Sequence, residues 1–201
     1  PFTLTNAQER VIHEIKEDMR NSKPMNRLLQ GDVGSGKTVV AIYAILAAIA
    51  NGYQAAFMAP TEILSEQHFQ TIQKYLQHSH VRMQLLTGST NSKYKKDALE
   101  QIRNGQIDLV IGTHALIEET VQFKKLGLVV IDEQHKFGVI QRLKLKEKGF
   151  QPDVLIMTAT PIPRTLSITL FGDLDISILD EMPPGRTPIK TFWISKDKEN
   201  E

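Results

Sequence analysis

The sequence has no cysteine, few aromatic residues, no long apolar run and almost no net charge. Without Cys there is no disulfide framework, no thiolate metal site and no cysteine nucleophile. A reducing compartment, the cytoplasm, is the expected setting. Aromatic residues make up 6%, with Trp193 the single tryptophan, so the apolar runs are built mainly of Val, Ile and Leu. Twenty-four Lys and Arg stand against twenty-three Asp and Glu, a net charge of +1. Any anion site must therefore be local, because no basic surface of the whole chain exists to attract nucleic acid or membrane. The longest apolar run, Val39 to Ala50, has 12 residues, short of the ~20 that cross a bilayer. No charged segment followed by an apolar stretch opens the chain, and no membrane partner is expected. What remains is a 201-residue chain, 41% hydrophobic and 23% charged. That is enough for roughly one soluble domain with its own core.

Apolar runs closed by Gly, Thr, Pro or Asp recur at 27–30, 55–59, 82–86, 109–112, 128–132 and 154–158. They are continuous rather than alternating, as in strands covered on both faces of a parallel sheet. Helical spacing fills the gaps at 38–51, 62–76 and 93–103, two of these segments closing on Asn-Gly. Residues 2–19 read as an extended entry and an amphipathic helix with Val11, Ile12, Ile15 and Met19 on one face. Strand-helix alternation predicts an α/β fold, a mainly parallel sheet with helices on both faces. After Phe171 the pattern breaks into 173–179 and then Pro183-Pro184-Gly185. Residues 1–186 are expected to form one lobe and 187–201 a connector with a charged, solvated tail.

Gly31-Asp32-Val33-Gly34-Ser35-Gly36-Lys37-Thr38 fits G-x-x-x-x-G-K-[ST] between a predicted strand and a predicted helix, the context that phosphate-binding loops need. Glycines let backbone amides curl around phosphate oxygens, and the following helix directs its positive end at the same anion. Lys37 is expected to reach the terminal phosphates of ATP, and the Thr38 hydroxyl to ligate Mg²⁺. The run 128–132 ends in Asp132-Glu133. Beside such a loop, Asp132 is a candidate Mg²⁺ ligand at the carboxyl end of a strand. Glu133 is a candidate to orient or deprotonate the attacking water, or else a supporting charge.

With these sit 59–64 (APTEIL), 112–117 (GTHALI), Asp132-Glu133-Gln134-His135 and 158–166 (TATPIPRTL). In this order the segments resemble motifs I, Ia, Ib, II and III of superfamily 2 helicases. Phe171-Gly172-Asp173-Leu174-Asp175 and 180–186 (DEMPPGR) extend the resemblance to the RecG-type ATP-dependent DNA helicases, which remodel branched DNA. The transcription-repair coupling translocases share motifs I and III but usually have Glu where Gln134 stands.

The resemblance implies a RecA-like P-loop NTPase lobe that uses ATP and Mg²⁺ and acts on DNA in recombination and repair. Gln8 matches the glutamine that reads adenine in many such helicases; alternatively it lies at a polar helix N-terminus capped by Thr5 or Asn6. Gln134 and His135 look like residues linking the nucleotide site to motif III. Thr158 and Thr160 resemble hydroxyls that couple hydrolysis to DNA movement, or simply cap a strand end. Thr61-Glu62, Thr87-Gly88 and Thr113-His114 resemble single-strand contacts in which strand and helix ends offer dipoles to phosphates without needing Lys or Arg. Each threonine read singly is also a helix cap. Arg142, Lys144, Lys146 and Lys148 could touch a phosphate, but a solvated helix face is the commoner reading.

The segment Lys93-Tyr94-Lys95-Lys96 fits the family loosely, and no role is carried over to it. Helicases of this type hydrolyse ATP between two lobes, the second contributing an arginine. The sequence reads as the first lobe, with the second lobe and a DNA-binding wedge domain as partners expected elsewhere in a longer enzyme. A nucleotide-binding module with negligible turnover is the alternative, and a small-molecule kinase is disfavoured because no Arg-rich lid is visible.

Overall fold

The computed structural model describes residues 3–132, 151–160 and 174–183, and these contain seven strands, the central ones continuous aliphatic runs. The strands are β1 (Asn26–Gly31), β2 (Gln54–Met58), β3 (Met83–Leu86), β4 (Leu109–Gly112), β5 (Leu126–Asp132), β6 (Asp153–Thr158) and β7 (Asp175–Leu179). They form one sheet in the order β3-β4-β2-β5-β6-β1-β7. Every pairing is parallel. Among the described residues, helix α1 (Asn6–Arg20) precedes the sheet, and α2 (Lys37–Ala50), α3 (Glu62–Tyr75) and α4 (Ser92–Asn104) connect strands, with a 3-10 turn at His114–Ile117. Expectations for Glu133, Gln134, His135, the basic residues 142–148, the segments 161–173 and the connector 187–201 lie outside the described residues.

Because side chains alternate along a strand, each strand feeds two cores. Phe57, Leu109, Ile111, Leu128, Val130, Leu155 and Met157 face α1, α2 and α3, meeting Val11, Ile45 and Ile72. Ala56, Met58, Val110, Val129, Ile131 and Ile156 face the other way, against Ile102 of α4, Leu116 and Val121. The expected two-sided α/β layering is what the sheet shows. Helix ends follow local chemistry. Thr5 and Gln8 form a capping box on α1, Thr61 caps α3, and α4 closes on Gly105 in the left-handed region.

Strand β7 was not anticipated by the pattern after Phe171, and the reason is physical. It lies at the sheet edge, and one of its inward positions is Ser177, buried but polar. Arg27 of β1 supplies the partner. Its Nη1 donates to Ser177 Oγ at 2.7 Å, while its guanidinium pairs with Asp18 at 2.7 Å and Glu14 at 3.2 Å. Ser177 also donates to Glu14. A buried charge is tolerated only when paired in this way. The network welds α1, β1 and β7 together. Arg10 adds a bond to the Ile178 carbonyl at 2.8 Å and a salt bridge to Asp180 at 3.1 Å.

Arg27→Ala is expected to destabilise the chain by about 3 kcal/mol, the low end for breaking a buried pair, because Glu14 keeps part of its side chain in water. Urea unfolding of the two forms measures it.

Candidate functional site

Parallel strands place all seven carboxyl ends on one edge, and open α/β sheets bind ligands there. The loop that follows β1 is built for close approach of an anion. Gly34 and Gly36 have φ of 83° and 89°, a region that L side chains avoid. A Cβ on Gly36 would fall 2.2 Å from Gln8 Nε2. The Gly36 N-cap of α2 makes no side-chain cap bond, so the positive end of that helix is not covered by a side chain of its own cap. Lys37 Nζ donates to the carbonyls of Gly31 at 2.7 Å and Asp32 at 3.0 Å, folded against the loop it belongs to. Ser35 Oγ is buried and has no hydrogen-bond partner, the one such side-chain atom among the described residues. A buried orphan hydroxyl calls for a ligand or water. Left-handed glycines, an orphan hydroxyl and a lysine at the loop together fit a polyphosphate.

Gln8 holds this loop from outside. Its Nε2 donates to the Ser35 carbonyl at 2.9 Å, while its Oε1 accepts from Thr5 N at 3.0 Å. Of the two sequence readings, the helix-terminus one is visible directly, with Thr5 as the cap. The bond to Ser35 was not anticipated; it joins partners 27 residues apart.

Asp132 ends β5 beside Met157, and Thr158 ends β6 beside Gln30 of β1. The three strands β5, β6 and β1 are therefore neighbours at the level of the loop. Asp132 is buried, with its Oδ2 2.8 Å from His68 Nε2. His68 escaped the sequence reading. The available signal was its spacing: three residues after Ser65 and four before Ile72, both buried, it falls on the inward stripe of α3. Among the described residues no group of three His, Asp or Glu could hold a metal alone. Mg²⁺ is commonly bound by one or two protein groups together with phosphates. Half-buried Thr38 lies in the first turn of α2. Thr158 is buried and its Oγ1 accepts from Thr160 N at 3.1 Å, a capped strand end.

The other half of the edge, beyond β2, β4 and β3, carries Thr61-Glu62, Thr113-His114 and Thr87-Gly88. The Glu62 carboxylate accepts from Ser89 Oγ at 2.8 Å and Ser89 N at 3.0 Å. Those bonds hold its pKa below the ordinary carboxylate value. Thr61 Oγ1 accepts from Leu64 N at 3.3 Å. Thr87 is buried within a turn, its N donating to Thr90 Oγ1 at 3.0 Å. Thr113 is buried and makes no side-chain cap bond to the turn it precedes, and His114 is exposed. The structure thus joins the first and third of these segments through Glu62.

The sequence profile of DEAD/DEAH box helicases matches residues 5–169. The chain belongs to that family. It is 60% identical over 195 residues to the ATP-dependent DNA helicase RecG of Synechocystis, covering 97% of this chain and 24% of that protein. The RecG helicase of Streptococcus pneumoniae is 59% identical over 198 residues, covering 98% and 29% respectively. A solved structure described as RecG bound to a three-way DNA junction superposes with a TM-score of 0.83 at 52% identity, over 94% of this chain and 25% of that one. The expected resemblance to RecG-type helicases and the expected RecA-like fold are borne out. This helicase lobe spans about a quarter of the length of the curated relatives it matches.

Gln8→Ala removes the partners of two backbone groups, Thr5 N and the Ser35 carbonyl. The expected loss is about 1–3 kcal/mol, seen as a lower urea midpoint.

Proposed function

We propose that residues 1–186 form the first motor lobe of a RecG-type ATP-dependent DNA helicase, which couples ATP hydrolysis to the unwinding and branch migration of forked or junction DNA. The carrying observation is the loop 31–38, with its left-handed glycines and orphan Ser35 hydroxyl, on the same sheet edge as Asp132. The junction-bound RecG relative supports branched DNA as the partner.

In this reading the amides of 32–36 and Lys37 bind the phosphates. Lys37 would exchange the carbonyls of Gly31 and Asp32 for phosphate oxygens, replacing neutral acceptors by charged ones. Thr38 and Asp132 hold Mg²⁺. Bound ATP and Mg²⁺ supply the transferable phosphoryl group and the charge that neutralises it. Glu133 orients the attacking water, and Gln134 and His135 pass the state of the site to Thr158 and Thr160. Gln8 reads adenine while holding Ser35. Thr61, Glu62, Thr87, Gly88, Thr113 and His114 form the track for the DNA backbone. A second lobe would supply the transition-state arginine, worth ~10³–10⁵ in rate in related phosphoryl-transfer enzymes. This lobe by itself is therefore expected to bind nucleotide weakly and to turn over very slowly. The wedge domain and second lobe are the partners of the whole enzyme, and the cytoplasm its place.

Lys37→Ala is expected to weaken binding of a fluorescent ATP analogue by about tenfold or more, the equivalent of one charge-assisted hydrogen bond. Unchanged affinity would remove the loop from the nucleotide site. In the full-length enzyme, ATPase measured with single-stranded, duplex and forked DNA should be stimulated most by the fork. Equal rates with and without every DNA would overturn the motor reading.

A further inference from the structure

Asp132 does not stand alone at the end of its strand. Along β5, Leu128 and Val130 face the helices α1, α2 and α3, so the two-residue period puts Asp132 on that same side of the sheet. On α3, His68 follows the inward stripe marked by Ser65 and Ile72, both fully buried. The two meet with Nε2 2.8 Å from Oδ2, their side chains 15% and 12% exposed. The ring is itself located: it lies against the fully buried Phe57 of β2, with centroids 4.6 Å apart and planes tilted by 47°. A metal-ligating carboxylate only accepts hydrogen bonds, and the histidine tautomer that fits one here has its proton on Nε2.

We infer that His68 is a positioning residue that donates to Asp132 Oδ2, fixes the carboxylate and leaves Oδ1 for a divalent cation. The inference rests on the proposed role of Asp132 as a magnesium ligand. A carboxylate turns about two side-chain bonds, and that freedom is lost when a cation binds. A donor held by Phe57 removes the freedom beforehand, so metal affinity rises without His68 touching metal or substrate. Donors behind metal-ligating groups typically contribute 10–100-fold in metal affinity or activity.

The test is the Mg²⁺ dependence of binding of a non-hydrolysable fluorescent ATP analogue to the full-length enzyme, with chelated, Mg²⁺-free binding alongside. His68→Phe keeps a ring against Phe57 and has no donor. His68→Gln keeps an N–H near the position of Nε2. Asp132→Asn reports on the ligand itself. The expected result is that His68→Phe raises the half-saturating Mg²⁺ concentration about tenfold and leaves Mg²⁺-free affinity unchanged, while His68→Gln stays within about threefold of the parent. His68→Leu takes the place of the phenylalanine variant should its melting temperature show misfolding. If Asp132→Asn shifts the Mg²⁺ requirement and neither donorless variant does, His68 has no positioning role. An equal loss with and without Mg²⁺ makes the contact purely structural and also overturns the inference. Should Asp132→Asn itself leave the Mg²⁺ requirement unchanged, the ligand reading of Asp132 fails and takes this one with it.

Discussion

Parallel pairing is the constraint on which everything else in this lobe depends. Seven strands running one way need a crossover between each and the next, and each crossover leaves from the same edge. The glycine loop after β1, the segments after β2, β3 and β4, and the acid at the end of β5 are thereby gathered on one rim, although they are scattered from position 31 to position 132. Strand order then divides the rim. The neighbours β5, β6 and β1 carry Asp132, Thr158 and the loop, while β3, β4 and β2 carry the threonine segments. The division matches the proposed separation of nucleotide from DNA. It needs no basic surface, consistent with a net charge of +1.

The helix before the sheet has a part that its sequence only half discloses. The amphipathic face of α1, with Val11, Ile12 and Ile15 in the core, accounts for its packing but not for its placement. Placement comes from polar groups. Arg27 gathers Glu14 and Asp18 onto β1 and β7, and Ala7 N donates to Glu181 beyond β7 at 3.2 Å. Gln8 then reaches from this fixed platform to the Ser35 carbonyl. A loop rich in glycine has little intrinsic rigidity. Here part of its order is borrowed from a helix that sequence distance would not connect to it.

Legibility from sequence follows the range of the interaction. The loop 31–38 is readable because its chemistry is local: glycines at fixed spacing, then a lysine and a threonine opening a helix. The central strands are readable because burial on both faces leaves them unbroken runs of aliphatics. Strand β7 is not, since an edge strand whose inward residue is Ser177 lacks that signature. His68 is less readable still. It meets Asp132 across 64 residues, and in the sequence it is one more polar residue in a helix. Its spacing from Ser65 and Ile72 points the ring inward, but the register of α3 on the sheet is what sets it against Asp132. The ambiguity of the threonines has the same origin: capping and phosphate binding use the same atoms at the same helix ends, so one residue type signals both.

Glu62 sharpens that last point. Thr61 already accepts the Leu64 amide and Glu62 already takes the Ser89 amide and hydroxyl, so these donors are satisfied by the protein itself. A carboxylate held below its usual pKa by those bonds is an anion seated among donors of the kind that backbone phosphates use. For a phosphate to occupy the same amide, Glu62 would have to release it, and the gain is then an exchange of one anion for another rather than a new bond. In the proposed DNA track, affinity per contact is then modest, and a strand is held by several such exchanges along the edge. The helix that carries Glu62 also carries His68 on its inward side. One helix thus touches both the proposed DNA track and the carboxylate at the end of β5.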